Sequence, residues 1–145
     1  MCFNIALSPL SFVLTIFDSN FTITILNIEE VVEFCLSKDG VTESFPFGDS
    51  ALVVKVGGKI FALINLNSTF WINLKCDPER AIELRESNSV ITPGYHMNKK
   101  HWNTIQLDGS LSDRLLREMI DHSYDLVYKS LSAQLKLTVP NKSLK

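Results

Sequence analysis

Apolar and polar positions along the chain change period several times, and each change marks an element. Ile28, Val31, Val32, Cys35 and Leu36 recur at i, i+3, i+4, i+7 and i+8, the stripe of an amphipathic helix. Asn27 precedes it as an N-cap, and Glu30 three residues later completes a capping-box signature. Lys38-Asp39-Gly40 ends this helix, with Gly40 suited to the left-handed conformation of a helix terminus.

From Ala51 the pattern becomes that of strands. Ala51-Leu52-Val53-Val54-Lys55-Val56 and Lys59-Ile60-Phe61-Ala62-Leu63-Ile64 flank Gly57-Gly58, which predicts a β-hairpin with a two-glycine turn. A third strand, Phe70-Trp71-Ile72-Asn73-Leu74-Lys75, follows the turn-rich Asn65-Leu66-Asn67-Ser68 and makes a meander. Asp77-Pro78 then opens a second helix, with Asp77 as N-cap and Pro78 where its missing N–H costs nothing. Ala81, Ile82 and Leu84 give it an apolar side. Val90-Ile91-Thr92 reads as a short strand, Gly94 to Lys100 as a turn, and Trp102 to Leu107 as an alternating strand broken by Asp108-Gly109. The last helix is predicted from Ser112 to Leu131, with Leu115, Leu116, Met119, Ile120, Leu126, Val127 and Leu131 as apolar positions. The order α-β-β-β-α-β-β-α implies an α+β two-layer sandwich, an antiparallel sheet of about five strands covered on one face by helices.

Residues 1–25 stand apart. Their apolar run carries only Asp18 as a charge and lacks the basic start of a secretory signal. Asn4, Ser8, Pro9, Ser11 and Asp18 interrupt it before the roughly 20 apolar residues of a membrane helix. Leu26 stands directly before a well-formed helix start, and bacterial genes can begin at a codon that otherwise encodes Leu. The expectation is an N-terminal extension over 1–25, either upstream sequence joined by a misplaced start or a mobile arm. A single domain over 26–135 and a tail over 136–145 complete the division.

The chain's 145 residues suit one compact core. Cys2, Cys35 and Cys76, three in number and far apart, make neither an even disulfide framework nor a Cys-x-x-Cys knuckle. A reducing cytoplasm fits this usage, with Cys35 and Cys76 as small buried hydrophobes. The formal charge of −2 opposes a general attraction to phosphate, but the charges are unevenly placed. Residues 51–76 carry Lys55, Lys59 and Lys75 and no acid, and residues 87–107 carry Lys99 and Lys100 and no acid. Glu29, Glu30, Glu33, Glu79, Glu83, Glu86, Asp121 and Asp125 fall on predicted helices.

Several segments together carry a resemblance. Phe45-Pro46-Phe47-Gly48, Lys55-Val56-Gly57-Gly58-Lys59-Ile60-Phe61-Ala62, Asn73-Leu74-Lys75-Cys76, Thr92 to Thr104 and Asp121-His122-Ser123-Tyr124 resemble the MmcQ/YjbR family of small bacterial proteins. The resemblance covers about Asn27 to Leu135. It implies the YjbR/CyaY-like fold and, from the family's usual description, DNA binding; double-stranded DNA is the partner expected here.

On that reading Lys99 and Lys100 contact phosphates, while Asn98 and Asn103 present amides to sugars or base edges. Tyr95, His96, His101 and Trp102 stack or insert, the hairpins about Gly57-Gly58 and Gly94-Tyr95 are two wings with Lys55 and Lys59 flanking the first, and Lys75 adds a further cation. Each residue also has a structural reading. Trp102 packs within the sheet, Lys99-Lys100 forms a solvated turn, Gly94 supplies a positive φ, and Tyr95, His96 and Asn103 hold one another in place.

His96 and His101, with Cys76 or His122, fall short of the four convergent ligands of a closed zinc site, so no metal or cofactor is expected. Glu29, Glu30 and Glu33 read as a solvated helix face that favours the helix N-terminus. The chain carries no nucleophile elbow, phosphate loop or His-Glu-x-x-His helix. Asp121 and His122 point about 100° apart on a helix and make a poor catalytic dyad. The expectation is therefore a monomeric, non-enzymatic DNA-binding protein. The alternative is a module that binds a protein partner through its sheet or helix face.

Overall fold

A computed structural model describes residues 27–139. Its first helix, α1 (Ile28–Leu36), has the capping box foreseen at Asn27 and Glu30, with both reciprocal hydrogen bonds formed. Ser37 caps its C-terminus, and Gly40 follows in the turn at φ +67°. The strands are β1 (Val41–Ser44), β2 (Ala51–Val56), β3 (Lys59–Asn65), β4 (Trp71–Lys75), β5 (Ile91–Pro93) and β6 (Trp102–Gln106). They form one antiparallel sheet of six strands in the order β1-β2-β3-β4-β6-β5. Helix α2 (Pro78–Ser87) joins β4 to β5, α3 (Asp113–Lys129) follows β6, and α4 (Ala133–Thr138) ends the described chain. This is the expected α+β architecture with one strand and one helix more. None of the described helices is long and apolar enough to cross a membrane.

The two additions share a physical reason: neither has an apolar pattern of its own. Strand β1 is Val-Thr-Glu-Ser on a sheet edge, held by pairing with β2, and its polar residues suit an edge that must not recruit further strands. The helix expected to reach Leu131 stops at Lys129, with Ser130 as its cap. Leu131 is buried beyond that end, and Ser132 caps α4. Helix α4 thus crosses the boundary drawn at 135, and Val139 is buried in the core. The extension over 1–25 lies outside the described residues.

Sheet parity sets the core. Leu52, Ile64, Ile72, Ile105 and Ile91 form one cross-strand row, and Val54, Ala62 and Leu74 belong to the next. All are buried with Val31 and Cys35 of α1 and Leu116, Met119, Ile120, Tyr124 and Val127 of α3. Burial pushes the Cys35 thiol up to about 12, so it stays protonated and packs as a hydrophobe.

A β-bulge fixes where α3 sits. The β2–β3 register passes from Val54↔Ala62 to Lys55↔Ile60, leaving Phe61 as the extra residue. Phe61 is fully buried, with its ring edge-on to Tyr124 at 5.4 Å. The direct β3–β4 pairing ends at Ala62↔Leu74. Beyond it the Ser123 hydroxyl accepts from Lys75 N at 2.8 Å and donates to Phe61 O at 2.5 Å, completing the ladder from the helix side.

The neighbours of Ser123 on α3 reach two other segments, the turn after α1 and the start of α2. Asp121 pairs with Lys38, His122 Nε2 accepts from Asp77 N at 3.2 Å, and Tyr124 OH donates to Asp39 O at 2.7 Å. Successive helical residues diverge by about 100°, which makes a poor dyad but a good four-way tie.

Ser123→Ala removes one hydroxyl and strands two buried backbone groups. We expect a loss of about 1–3 kcal/mol in urea unfolding, since unmet buried partners forfeit their full desolvation cost. His122 carries a pH dependence. Burial, then the Arg80 guanidinium, holds its pKa below the ordinary value, and Nε2 must be unprotonated to accept from Asp77. The unfolded chain therefore binds the proton more readily, and stability rises with pH. The contribution of His122 is complete above the unfolded value of about 6.5 and is lost as pH falls through the lower folded value. Urea midpoints between about pH 5 and 8 should show a shallower acid-side decline in His122→Gln than in the parent chain.

Candidate functional site

Helices α1 and α3 pack on one side and α2 meets Asn103 there, so alternation delivers the remaining strand residues to the other. On β4 these are Trp71, Asn73 and Lys75, and on β6 they are Trp102, Thr104 and Gln106. The register sets Lys75 beside Trp102, Asn73 beside Thr104 and Trp71 beside Gln106. Leu63, half-buried, continues the middle row onto β3, and Val53, fully buried, continues it onto β2. Lys55 lies two strands from Lys75, roughly 10 Å by strand spacing. No Asp or Glu alternates onto this face in any described strand; Glu43, paired with Val54, belongs to the helix side.

The middle row anchors the loop between β5 and β6. Asn73 and Thr104 are polar yet buried, at 1% and 4% exposure, because the segment after Gly94 folds back over them. Tyr95 N donates to Thr104 Oγ1 at 2.8 Å, Thr104 Oγ1 donates to Asn73 Oδ1, and Asn73 Nδ2 donates to Tyr95 O at 2.9 Å. The cycle satisfies both backbone groups of Tyr95 and leaves its side chain 55% exposed. That ring meets Trp71 edge-on at 5.9 Å and His96 at 3.9 Å. His96 takes the left-handed conformation at φ +58°.

Gly94 itself is not at positive φ, contrary to expectation; its need is space. A Cβ there would fall 2.7 Å from Trp102 Cβ and 3.0 Å from Trp102 O. Gly94 N donates to that same carbonyl at 2.8 Å, so the close approach and the hydrogen bond come together.

A second bracket holds the loop from the helix side. Arg85 of α2 donates through Nε to Asn103 Oδ1 at 2.6 Å and through Nη2 to Trp102 O at 3.2 Å and to Lys99 O. Asn103 Nδ2 reaches Ala81 O at 3.5 Å. Asn103 is fully buried and has the opposite parity to Trp102, so its amide cannot serve a ligand on the open face. Parity also parts it from Tyr95 and His96, which hold each other by ring contact.

The other sequence-derived candidates divide in the same way. Lys55 and Lys75 are half-buried on the open face, as is Trp102, which lies there and not in the core. Asn98, Lys99 and Lys100 form an exposed turn, where Asn98 Oδ1 accepts from Lys100 N at 2.9 Å and Lys99 Nζ donates to Gly94 O at 3.2 Å. His101 is half-buried, and its carbonyl accepts from Cys76 N at 2.8 Å.

Lys59 leaves the set. Its ammonium donates to Ser130 O at 3.1 Å at the end of α3, where carbonyls and the helix dipole favour a cation. A Cβ at Gly57 would fall 2.6 Å from Leu131 Cδ1, so the tip of the β2–β3 hairpin lies close against the helix layer. The first wing is therefore a structural tie. Sequence reasoning missed Trp71 and Arg85 as site residues. Trp71 had a signal, since it lies four residues before Lys75 and so shares its face; Arg85 had none.

A family model described as YjbR matches residues 36–126, a span that contains the whole clamp. The chain is 35% identical over 100 residues to the uncharacterized protein YjbR of Escherichia coli strain K12, across 68% of this chain and 85% of that one. It is 43% identical over 89 residues to the uncharacterized protein YbdF of Escherichia coli O157:H7, across 61% and 73%. Among solved structures, Deinococcus radiodurans protein DR2400, a DUF419 domain, superposes with a TM-score of 0.73 at 36% identity over 81% of this chain and 91% of that one. A Pseudomonas syringae protein does so with a TM-score of 0.62 at 27% identity, over 70% and 98%.

Thr104→Val keeps the shape of the clamp and removes its hydroxyl. We expect about 1–3 kcal/mol of lost stability and faster hydrogen exchange at the Tyr95 amide, with amides of β2 protected as before. Unchanged exchange at Tyr95 would show that the hydroxyl does not hold the loop.

Proposed function

Given that the chain belongs to the YjbR family, we propose that it binds DNA through the open face of its sheet. The observation that carries this reading is the segregation of charge: the strands place Lys55 and Lys75 on that face and no carboxylate beside them. Lys100 extends the cationic side at the exposed turn. The lysines hold phosphates as flexible point charges, and Trp71, Tyr95 and Trp102 supply apolar contact to sugars and bases. Three cations predict modest affinity with a shallow salt dependence, since each phosphate contact releases about one counterion. The clamp around Tyr95 presents these groups on a fixed backbone, which limits the ordering that binding requires.

Fluorescence anisotropy with a labelled duplex bearing a single-stranded tail presents both forms of DNA at once. Binding at low salt should weaken as salt rises. Lys55→Ala/Lys75→Ala should reduce the logarithmic salt slope by roughly one unit per lysine. Absence of binding at low salt, or a slope untouched by both substitutions, would remove the reading.

A further inference from the structure

We infer that the open face takes single-stranded DNA in preference to duplex, with bases stacked on its aromatic rings. The inference rests on the DNA reading above and names the form of DNA that the face accommodates. A duplex offers its sequence in a major groove about 12 Å wide, which admits a helix or a two-stranded ribbon. Here Lys55, Lys75 and Trp102 are spread over β2, β4 and β6 within a continuous sheet. Strands β2, β3, β4 and β6 together span roughly 14 Å at ordinary strand spacing, and a helix layer backs them. Such a slab cannot enter the groove. Of the two hairpin tips, that of β2–β3 is held against α3 through Lys59 and Ser130, and the 95–100 turn is clamped at its base to Asn73 and Thr104.

Duplex phosphates offer little instead. Of the five lysines in the acid-free segments, Lys59 is engaged at Ser130 and Lys99 donates to Gly94 O. A single strand presents the faces of its bases as well as its phosphates, and stacking does not depend on charge. Of Trp71, Tyr95 and Trp102, Tyr95 is the most accessible, and Trp71 lies against its edge. Trp102 sits beside Lys75, which pairs a stacking surface with a phosphate contact on adjacent strands.

The test compares an oligothymidylate of about 12 nucleotides with a blunt duplex of equal length, at one low salt concentration. We expect the single strand to bind at least about 10-fold more tightly and to quench tryptophan fluorescence. The hydrogen bonds that anchor Tyr95 run through its backbone, so Tyr95→Leu keeps the fold while removing the aromatic face. That variant should lose about 5-fold or more for the single strand and little for the duplex, while remaining folded by circular dichroism. Equal or tighter binding of the duplex, or full single-strand affinity in folded Tyr95→Leu, overturns the preference and leaves DNA binding in place. Binding of neither probe overturns both readings.

Discussion

The Ser123 hydroxyl is the contact on which the arrangement turns. A bulge at Phe61 breaks direct pairing between β3 and β4, and two backbone groups in the middle of the sheet then need partners. A serine on α3 supplies both, so the helix is located by hydrogen bonds as well as by apolar packing. Hydrophobic burial alone is non-directional and would tolerate a helix slid along the sheet. The bridge selects one position, and Tyr124 against Phe61 sets the rotation. From that position Asp121, His122 and Tyr124 reach the ends of α1 and α2. The helix layer is thereby committed to one face, and among the described residues the loop after Gly94 packs on the other.

The same logic of placed polar groups shapes that loop. Asn73 and Thr104 are buried on the outer face, while Asn103, one residue before Thr104, is buried on the inner face with Arg85. Each partner set closes on backbone atoms of the loop, so the 94–102 segment is held from two sides. Buried polar groups of this kind are costly when incomplete and rigidifying when complete. Among the described residues no buried side-chain polar atom lacks a partner. The result is a fixed backbone beneath the exposed side chains of Tyr95 and His96.

Element types were legible where a period could be counted, as in α1, the β2–β3–β4 meander and α3. Strand β1 and helix α4 were not, because their stability comes from neighbours: an existing edge for β1, and the pocket that takes Val139 for the end of α4. At the site, the sequence marked the right segment but could not assign sides within it. Asn103 and Trp102 are adjacent and chemically suited to the same task, yet parity sends them to opposite faces. Lys59 shows a different limit. Its partner Ser130 is 71 residues away, and nothing local to either announces the pairing. Gly94 was read for its φ when its constraint is the approach of Trp102, a contact that exists only once β5 and β6 lie side by side.

The formal charge of −2 illustrates why a sum over the chain is a poor guide to one surface. Carboxylates on the outer side of the helices stand about a helix diameter, some 10 Å, behind the sheet. The Debye length at physiological ionic strength is about 8 Å. A phosphate at the open face therefore interacts mainly with Lys55, Lys75 and the groups beside them, and the helix carboxylates are largely screened. The two layers carry opposite balances because they do different work. Acidic residues suit the first turns of helices, as Glu29 and Glu30 do in α1 and Glu79 does in α2. The strands carry no such demand, and no described strand places a carboxylate on the face of Lys55 and Lys75. The net charge reports the excess of helix acids, and the chemistry of the open face follows from the alternation of its strands.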